Sequence, residues 1–482
     1  MNKDGHGKEN QRKGSISVLM MILLSSMIIV FLLLYHDASL RTLQSVVRWN
    51  GENAGNTVLT YYLPELKDRY DLFGLWKESS LLEWRMKGYV ENSSPFWRRA
   101  HGTSLLNAEC EQIQVDAEEY LLMDPRLIQG QIHDVMEQGM IVDLIQRSDL
   151  ISQWKDVLTW VGKGLELQEE QGELSVQRSQ DRTAEETQDP TKENYEQLEQ
   201  DVRQMESQGR SAMKEITLEN GRTLENPMVI AYLPSRQITS SGIQTSWEIL
   251  KTDPEKLGEF IGKSLLTDLY ALHYFSSYTE RQDGWFVCQL EYILQGRLSD
   301  EENLERTKTE LFLLRTGLNL VSVYQNNELR QFVGTMAAAA APIPYPVAFG
   351  VLAAAISAME AGEDVKTLMG GETVSPLKTY EDWLTMSEHQ NAQDVPRMEQ
   401  EKQRLEMTYE DHLHLLLILK PQETKILRMM DLIQLDLQKS FGDTFTMEEL
   451  CGGFRWKLQS LMKTSRGEEQ RWICEGISQY GS

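Results

Sequence analysis

The sequence predicts an α+β protein, mainly α, with an N-terminal transmembrane helix continuing into a helical stalk, an external helical body with short strands, and a C-terminal β-hairpin. Three observations carry this. The stretch Ile16 to Tyr35 holds no charge and follows Arg12 and Lys13. Apolar residues then recur at helical spacing through most of the chain. Near residue 456, Phe454, Trp456 and Leu458 alternate with Arg455, Lys457 and Gln459, as a half-buried strand requires.

Taken in order, residues 1–14 form a basic leader, with Lys3, Lys8, Arg12 and Lys13 set against Asp4 and Glu9. That excess favours a cytoplasmic N-terminus. Residues 15–35 are the transmembrane helix. At about 1.5 Å per residue the run matches a hydrocarbon core of roughly 30 Å. Ser17, Ser25 and Ser26 are its polar members, and Leu24 lies near its middle. A cleaved secretory signal is the competing reading, but its apolar core is shorter, roughly 7–15 residues, and ends at small residues. Here the run closes on Leu32, Leu33, Leu34 and Tyr35. The chain beyond it is therefore placed outside the cell membrane, as the bulk of a single-pass protein.

Residues 36–163 read as a stalk and an N-terminal helical part. Leu40, Leu43, Val46, Val47, Val58, Leu59 and Leu63 keep helical spacing, interrupted at Gly51 to Gly55. Tyr70 to Trp76 is an aromatic-rich turn that ends a helix. Residues 164–219 are acidic and glutamine-rich, with too little apolar surface for a core of their own. They read as a linker followed by an exposed helix on which Tyr195, Leu198, Val202 and Met205 form a thin stripe.

Residues 220–482 form a C-terminal α+β part. Met228 to Leu233 and Trp285 to Leu294 read as short strands, and Leu257 to Tyr278 as a helix. A helix over Glu302 to Gln325 starts at Ser299, where Ser299 and Glu302 make a capping box. No charged residue stands between Arg330 and Glu360. Pro342, Pro344 and Pro346 divide that run into halves too short to span a bilayer, so it reads as a hairpin of buried helices. A re-entrant or membrane-contacting segment is the other reading. Tyr409 to Leu419 and Glu423 to Leu437 are two further helices. Phe454 to Gln459 and Arg471 to Ile477 pair as the hairpin, in a register that sets Cys474 near Ser460.

The net charge of −25 excludes a nucleic-acid-binding role, which needs a basic face. Cys110, Cys288, Cys451 and Cys474 show no metal-ligand spacing. Outside the cytoplasm they allow up to two disulfides in three connectivities. A Cys451–Cys474 bond would require Cys451 to fold back.

Catalytic signals reduce to decoys. Gly258, Gly262, Lys263 and Ser264 resemble a phosphate loop, but the spacing is one residue short and no buried strand precedes them. His412 and His414 point to different helix faces. Glu301 with Glu302 and Glu381 with Asp382 are ordinary solvated pairs. No nucleophile signature is present, so neither catalytic residues, cofactor nor metal are assigned.

Several blocks carry a resemblance. They are Lys13-Gly14-Ser15-Ile16-Ser17-Val18 before the membrane run; Tyr70 to Leu75; Leu290 to Gly296 with Ser299 to Asn303; Pro376 to Trp383; and Tyr409 to Leu413 running to Arg428 to Gln434. The chain resembles an uncharacterised clostridia-type family of membrane-anchored proteins associated with tight-adherence (Tad, or Flp-type) pilus loci, whose TadE- and TadG-like minor pilins share a short basic leader and a pilin-like first helix. The resemblance implies leader cleavage between Gly14 and Ser15 and partners among Tad pilus or envelope-assembly proteins. Processed pilins usually carry a glutamate five residues after the cleavage glycine; here that position is Leu19. The functional expectation is a membrane-anchored structural or assembly component with the lipid bilayer as one partner. A surface receptor or enzyme, using a cleft near Ala337 to Met359, is the alternative.

Overall fold

The computed structural model describes residues 7–93, 107–146, 155–164, 166–168, 191–238, 254–281, 284–383, 385, 405–463 and 469–480. The chain forms two compact units, Met1–Lys67 with Phe73–Leu127 and Glu448–Ser482, and Asp68–Leu72 with Ile128–Met447. The two units interleave along the sequence.

In the first unit α1 runs unbroken over Gly7–Val58, so Gly51 and Gly55 do not interrupt it. Its apolar residues from Val18 to Tyr35 are exposed, whereas Leu43, Val47, Ala54 and Val58 are buried on one face. The other elements are α2 (Pro64–Tyr70), β1 (Leu75–Trp76), α3 (Ser79–Ser93), β2 (Asn107–Asp116), β3 (Leu450–Cys451), β4 (Gly453–Lys463) and β5 (Glu469–Gln479). An antiparallel sheet has the order β2–β4–β5, and β1 pairs with β3.

Val47, Ala54 and Val58 of α1 share one core with Leu82 and Met86 of α3 and with Ile113, Phe454, Trp456 and Leu458 of the sheet. Gly51 and Gly55 are contact positions in that core. A Cβ on Gly51 would stand 2.7 Å from the Trp456 ring, and one on Gly55 would stand 2.3 Å from Ser478 Oγ. The expected hairpin is present, although Cys474 faces Leu458 and Ser460 faces Trp472. Sequence reading missed β2, where Ile113 and Val115 alternate with exposed Gln112, Gln114 and Asp116.

The second unit is helical: α4 (Pro125–Gln146), α5 (155–164), α6 (Thr191–Lys214), α7 (Pro227–Ala231), α8 (Pro234–Gln237), α9 (Pro254–Tyr274), α10 (Gln289–Gln295), α11 (Asp300–Gln325), α12 (Asn327–Ala339), α13 (Tyr345–Met369), α14 (Tyr409–Ile418) and α15 (Gln422–Phe441). The two strands expected here are helical instead. Pro227 and Pro234 each open a helical turn, and Asn226 accepts from Met228 N as a cap. Gln289 to Leu294 are all buried, so their alternating polarity marks no solvent face. Ser299 makes no side-chain cap; capping boxes form instead at Thr379–Asp382 and Thr408–Asp411. Asp300 accepts from Val287 N, Cys288 N and Arg222 N, tying two loops to the start of α11.

The uncharged run forms the helix pair α12 and α13, packed around Leu320, Val333, Phe349 and Leu352, but only α13 is largely buried; α12 buries Leu329, Val333 and Ala337 and exposes its other face. α6 belongs to this core rather than standing exposed: Leu198 is buried in it, and Tyr195, Val202 and Met205 pack against it. The 169–190 part of the acidic segment lies outside the described residues. Gly209 of α6 crosses α13 so closely that a Cβ on Gly362 would stand 2.1 Å from Gly209 O. Gly362→Ala is therefore expected to cost about 1–3 kcal/mol in urea denaturation, as overpacking does. Gly88→Ala on α3, where nothing lies within 4 Å of the new Cβ, should instead stabilise by roughly 0.5–1 kcal/mol.

Candidate functional site

Two features stand apart from ordinary core packing. The first is the N-terminal half of α1. Met20, Met21, Leu24, Phe31 and Leu34 are each at least 60% exposed, and α1 is long and apolar enough to cross a membrane. An aqueous surface would leave this apolar cylinder unpaired, whereas lipid solvates it. Ser25 Oγ donates to Met21 O and Ser26 Oγ to Leu23 O, each at 2.8 Å, so both hydroxyls are satisfied within the helix. Gly14, Ser15 and Ile16 lie on the α1 backbone ahead of the first described side chain. Tyr35 ends the fully exposed run at 47% exposure.

The second feature is a set of buried ionic and polar clusters in the helical unit. Arg315 and Asn319 of α11 donate to Asp364 of α13, and Lys378 Nζ donates to both Asp364 and Glu360. Thr385 N and Oγ1 complete Glu360 at 3.0 and 2.7 Å. Burial alone would raise the Asp364 pKa; Arg315 and Lys378 outweigh it and hold the carboxyl below its usual range. Nearby on α14, His412 donates through Nδ1 to Thr408 O, and burial, with Arg315 adding to it, drops its pKa to about 3.

A second cluster joins three helices. Lys425 of α15 donates to Asp268 and Ser264 of α9 and to Leu417 O at the end of α14. A third holds α8 and α10 on α15: Asp431 accepts from Ser235 N at 2.9 Å and Tyr292 Oη at 2.8 Å. Arg428 there donates to Ile293 O and Leu294 O, carbonyls at the end of α10 that lack helical partners. Burial raises the Asp431 pKa to about 6. In a fourth, Glu291 accepts from Tyr409 Oη and Tyr278 N, and burial pushes it up to about 7.

These clusters show what sequence reading missed. Ser264, from the phosphate-loop decoy, sits on α9 as a partner of Lys425. His412 and His414 are both buried in the helical core. No group of three or more His, Cys, Asp or Glu side chains poised for a metal occurs among the described residues.

The four cysteines stand as free thiols in this structure. Cys110 lies opposite Ser460 on the sheet, Cys451 opposite Leu75 and Cys474 opposite Leu458, while Cys288 belongs to the other unit. Burial raises all four pKa values, to about 12 for Cys451 and about 11 for Cys474, so at neutral pH they are protonated and poorly nucleophilic.

A family model described as a family of unknown function, DUF5702, matches residues 189–460, more than half of the chain. The chain belongs to DUF5702. The DUF5702 match contains every buried cluster described above and begins beyond α1. No curated protein and no solved structure matches the chain. The matched part runs from α6 through most of β4 and holds the ionic core, while α1, α4 and α5 lie outside it.

Proposed function

We propose that this DUF5702 member is a membrane-anchored, extracytoplasmic structural or assembly component of a Tad-like pilus or cell-envelope complex, similar to a minor pilin. The observation that carries the reading is α1. One unbroken helix has an exposed apolar half of membrane-spanning length and a second half keyed into a folded domain. Such a helix transmits position rigidly from bilayer to body, as a pilin-type subunit needs. The basic leader supports a cytoplasmic N-terminus. Buried polar pairs of the body support a structural rather than an enzymatic role, since Arg315 with Asp364, Lys425 with Asp268 and Tyr292 with Asp431 each join one helix to another.

The test is N-terminal sequencing and fractionation of the mature protein in its native host, with and without the prepilin peptidase. A peptidase-dependent N-terminus at Ser15, with protein in sheared surface fibres, is the expected result. An intact N-terminus with all material in the membrane would overturn fibre incorporation and leave a fixed anchor. Recovery in the soluble fraction would overturn the anchor as well.

A further inference from the structure

We infer that the first unit is seated directly on the bilayer that holds α1, with the end of its sheet at Asn107, Lys463 and Glu469 against zwitterionic phospholipid headgroups; the inference rests on the membrane anchoring proposed above. The first observation is where burial of α1 begins. From Ser17 to Tyr35 every residue is exposed. His36 is already half-buried, and Ser39, Leu40, Leu43 and Val47 follow it on one face, the last two buried. Steps of three and four residues keep these positions on one side of the helix. The body therefore closes on α1 at the residue that follows the apolar run, and no bare turn of helix separates the two.

The second observation is the direction of the sheet, which belongs to the same unit as α1. Tyr480 Oη donates to Leu59 O, Gly55 lies against Ser478, and Gly51 lies against Trp456, the register partner of Gly476. Moving down β5 toward Glu469 thus moves down α1 toward Tyr35. From Gly476 to Glu469 the strand covers about 23 Å at roughly 3.3 Å per residue. From Gly51 to His36 the helix covers about 22 Å at roughly 1.5 Å per residue. The end of the sheet comes level with the point where burial of α1 starts. β2 and β4 end in the same row, since Lys463 is the register partner of both Asn107 and Glu469. Headgroups extend roughly 5–7 Å beyond the hydrocarbon edge, so a sheet that ends level with His36 ends among them.

Charge decides the class of headgroup. An anionic leaflet is recognised by lysine and arginine in excess. Here the charges cancel in pairs: Asp37 with Arg41 at 3.0 Å, Glu111 with Arg471 at 3.1 Å, and Lys463 opposite Glu469 in the strand register. Such a surface offers a counter-charge to both the phosphate and the ammonium of a zwitterionic lipid.

The experiment uses the full chain reconstituted in phosphatidylcholine vesicles. A bimane fluorophore is placed on Gln470→Cys beside the strand end, on Thr60→Cys at the far end of the unit, or on Leu24→Cys in the apolar run, three exposed positions. Wild type treated with the same reagent supplies the background, and unchanged thermal melting of each variant establishes an intact fold. Lipid with a nitroxide on its headgroup should quench 470 several-fold more than 60, and lipid with a nitroxide midway along its acyl chain should quench 24. Equally weak headgroup quenching at 470 and 60, with 24 quenched from the acyl chains, overturns the seat while the anchor stands. If 470 is then also shielded from aqueous iodide, a second copy of the chain covers the sheet end instead. Quenching at 470 that appears only after half of the lipid is replaced by phosphatidylglycerol overturns the zwitterionic fit. Absence of acyl-chain quenching at 24 overturns the anchoring and the seat together.

Discussion

Lys425→Met is expected to lower the stability of the helical unit by about 3–5 kcal/mol, the usual cost of stranding one member of a buried ion pair. Lys425 and Asp268 are both fully buried, and the ammonium also holds Ser264 and the Leu417 carbonyl. Removing it leaves the Asp268 carboxylate without its counter-charge. The double variant Lys425→Met/Asp268→Leu should recover most of the loss, because an apolar pair of similar volume needs no desolvation of charge. Urea denaturation of both variants checks this. If the single variant unfolds at the wild-type midpoint, the pair is not carrying a buried charge. If the double variant is no better than the single, the loss comes from packing rather than electrostatics.

The second large effect is on pH dependence. Glu291 is fully buried, its Oε2 has no protein partner, and burial raises its pKa from 4.5 to about 7. The sign follows from linkage. A folded-state pKa above the unfolded value means the native state binds the proton more tightly, so the contribution is complete below pH 4.5 and is lost as pH rises through about 7. The shift corresponds to about 3 kcal/mol. Other groups titrate in the same range with both signs. Asp431, raised to about 6, loses stability in the same direction, whereas His412, lowered to about 3, adds stability as pH rises toward 6.5.

The informative quantity is therefore the difference between wild type and Glu291→Gln. Glutamine keeps an acceptor for Tyr409 Oη and Tyr278 N but does not ionise. Across pH 4.5 to 8, wild type should lose about 3 kcal/mol relative to the variant, with most of the change below pH 7. A flat difference would mean that Glu291 is ionised throughout in the native state, stabilised by its two donors.

Both effects arise from residues whose roles were invisible in one dimension. Ser264, Asp268, Leu417 and Lys425 come from three helices, and nothing in their local spacing announces a cluster. The two false strands fail for a related reason. Alternation indicates a face only when one side of the element meets water, and Gln289 to Leu294 meets none. β2 shows the converse: its alternation from Gln112 to Asp116 was legible, but its partner is β4, more than three hundred residues away. Gly51 and Gly55 looked like a break in a helix because their use depends on Trp456 and Ser478 approaching from the sheet.

What the sequence determined by itself was the apolar helix, the hairpin of Phe454 to Ile477, the division of the uncharged run into α12 and α13, and most helix positions. Each is a local pattern whose period reports directly on one solvent boundary, lipid or water against core. Only the tertiary structure decided that the C-terminal strands complete a sheet with β2 under α1, that α6 is a core helix, that the four thiols stay apart, and that buried acids and bases meet in neutralising clusters. Those outcomes depend on which distant segments are brought together, and burial of a charge is tolerated only where its partner arrives from elsewhere in the chain.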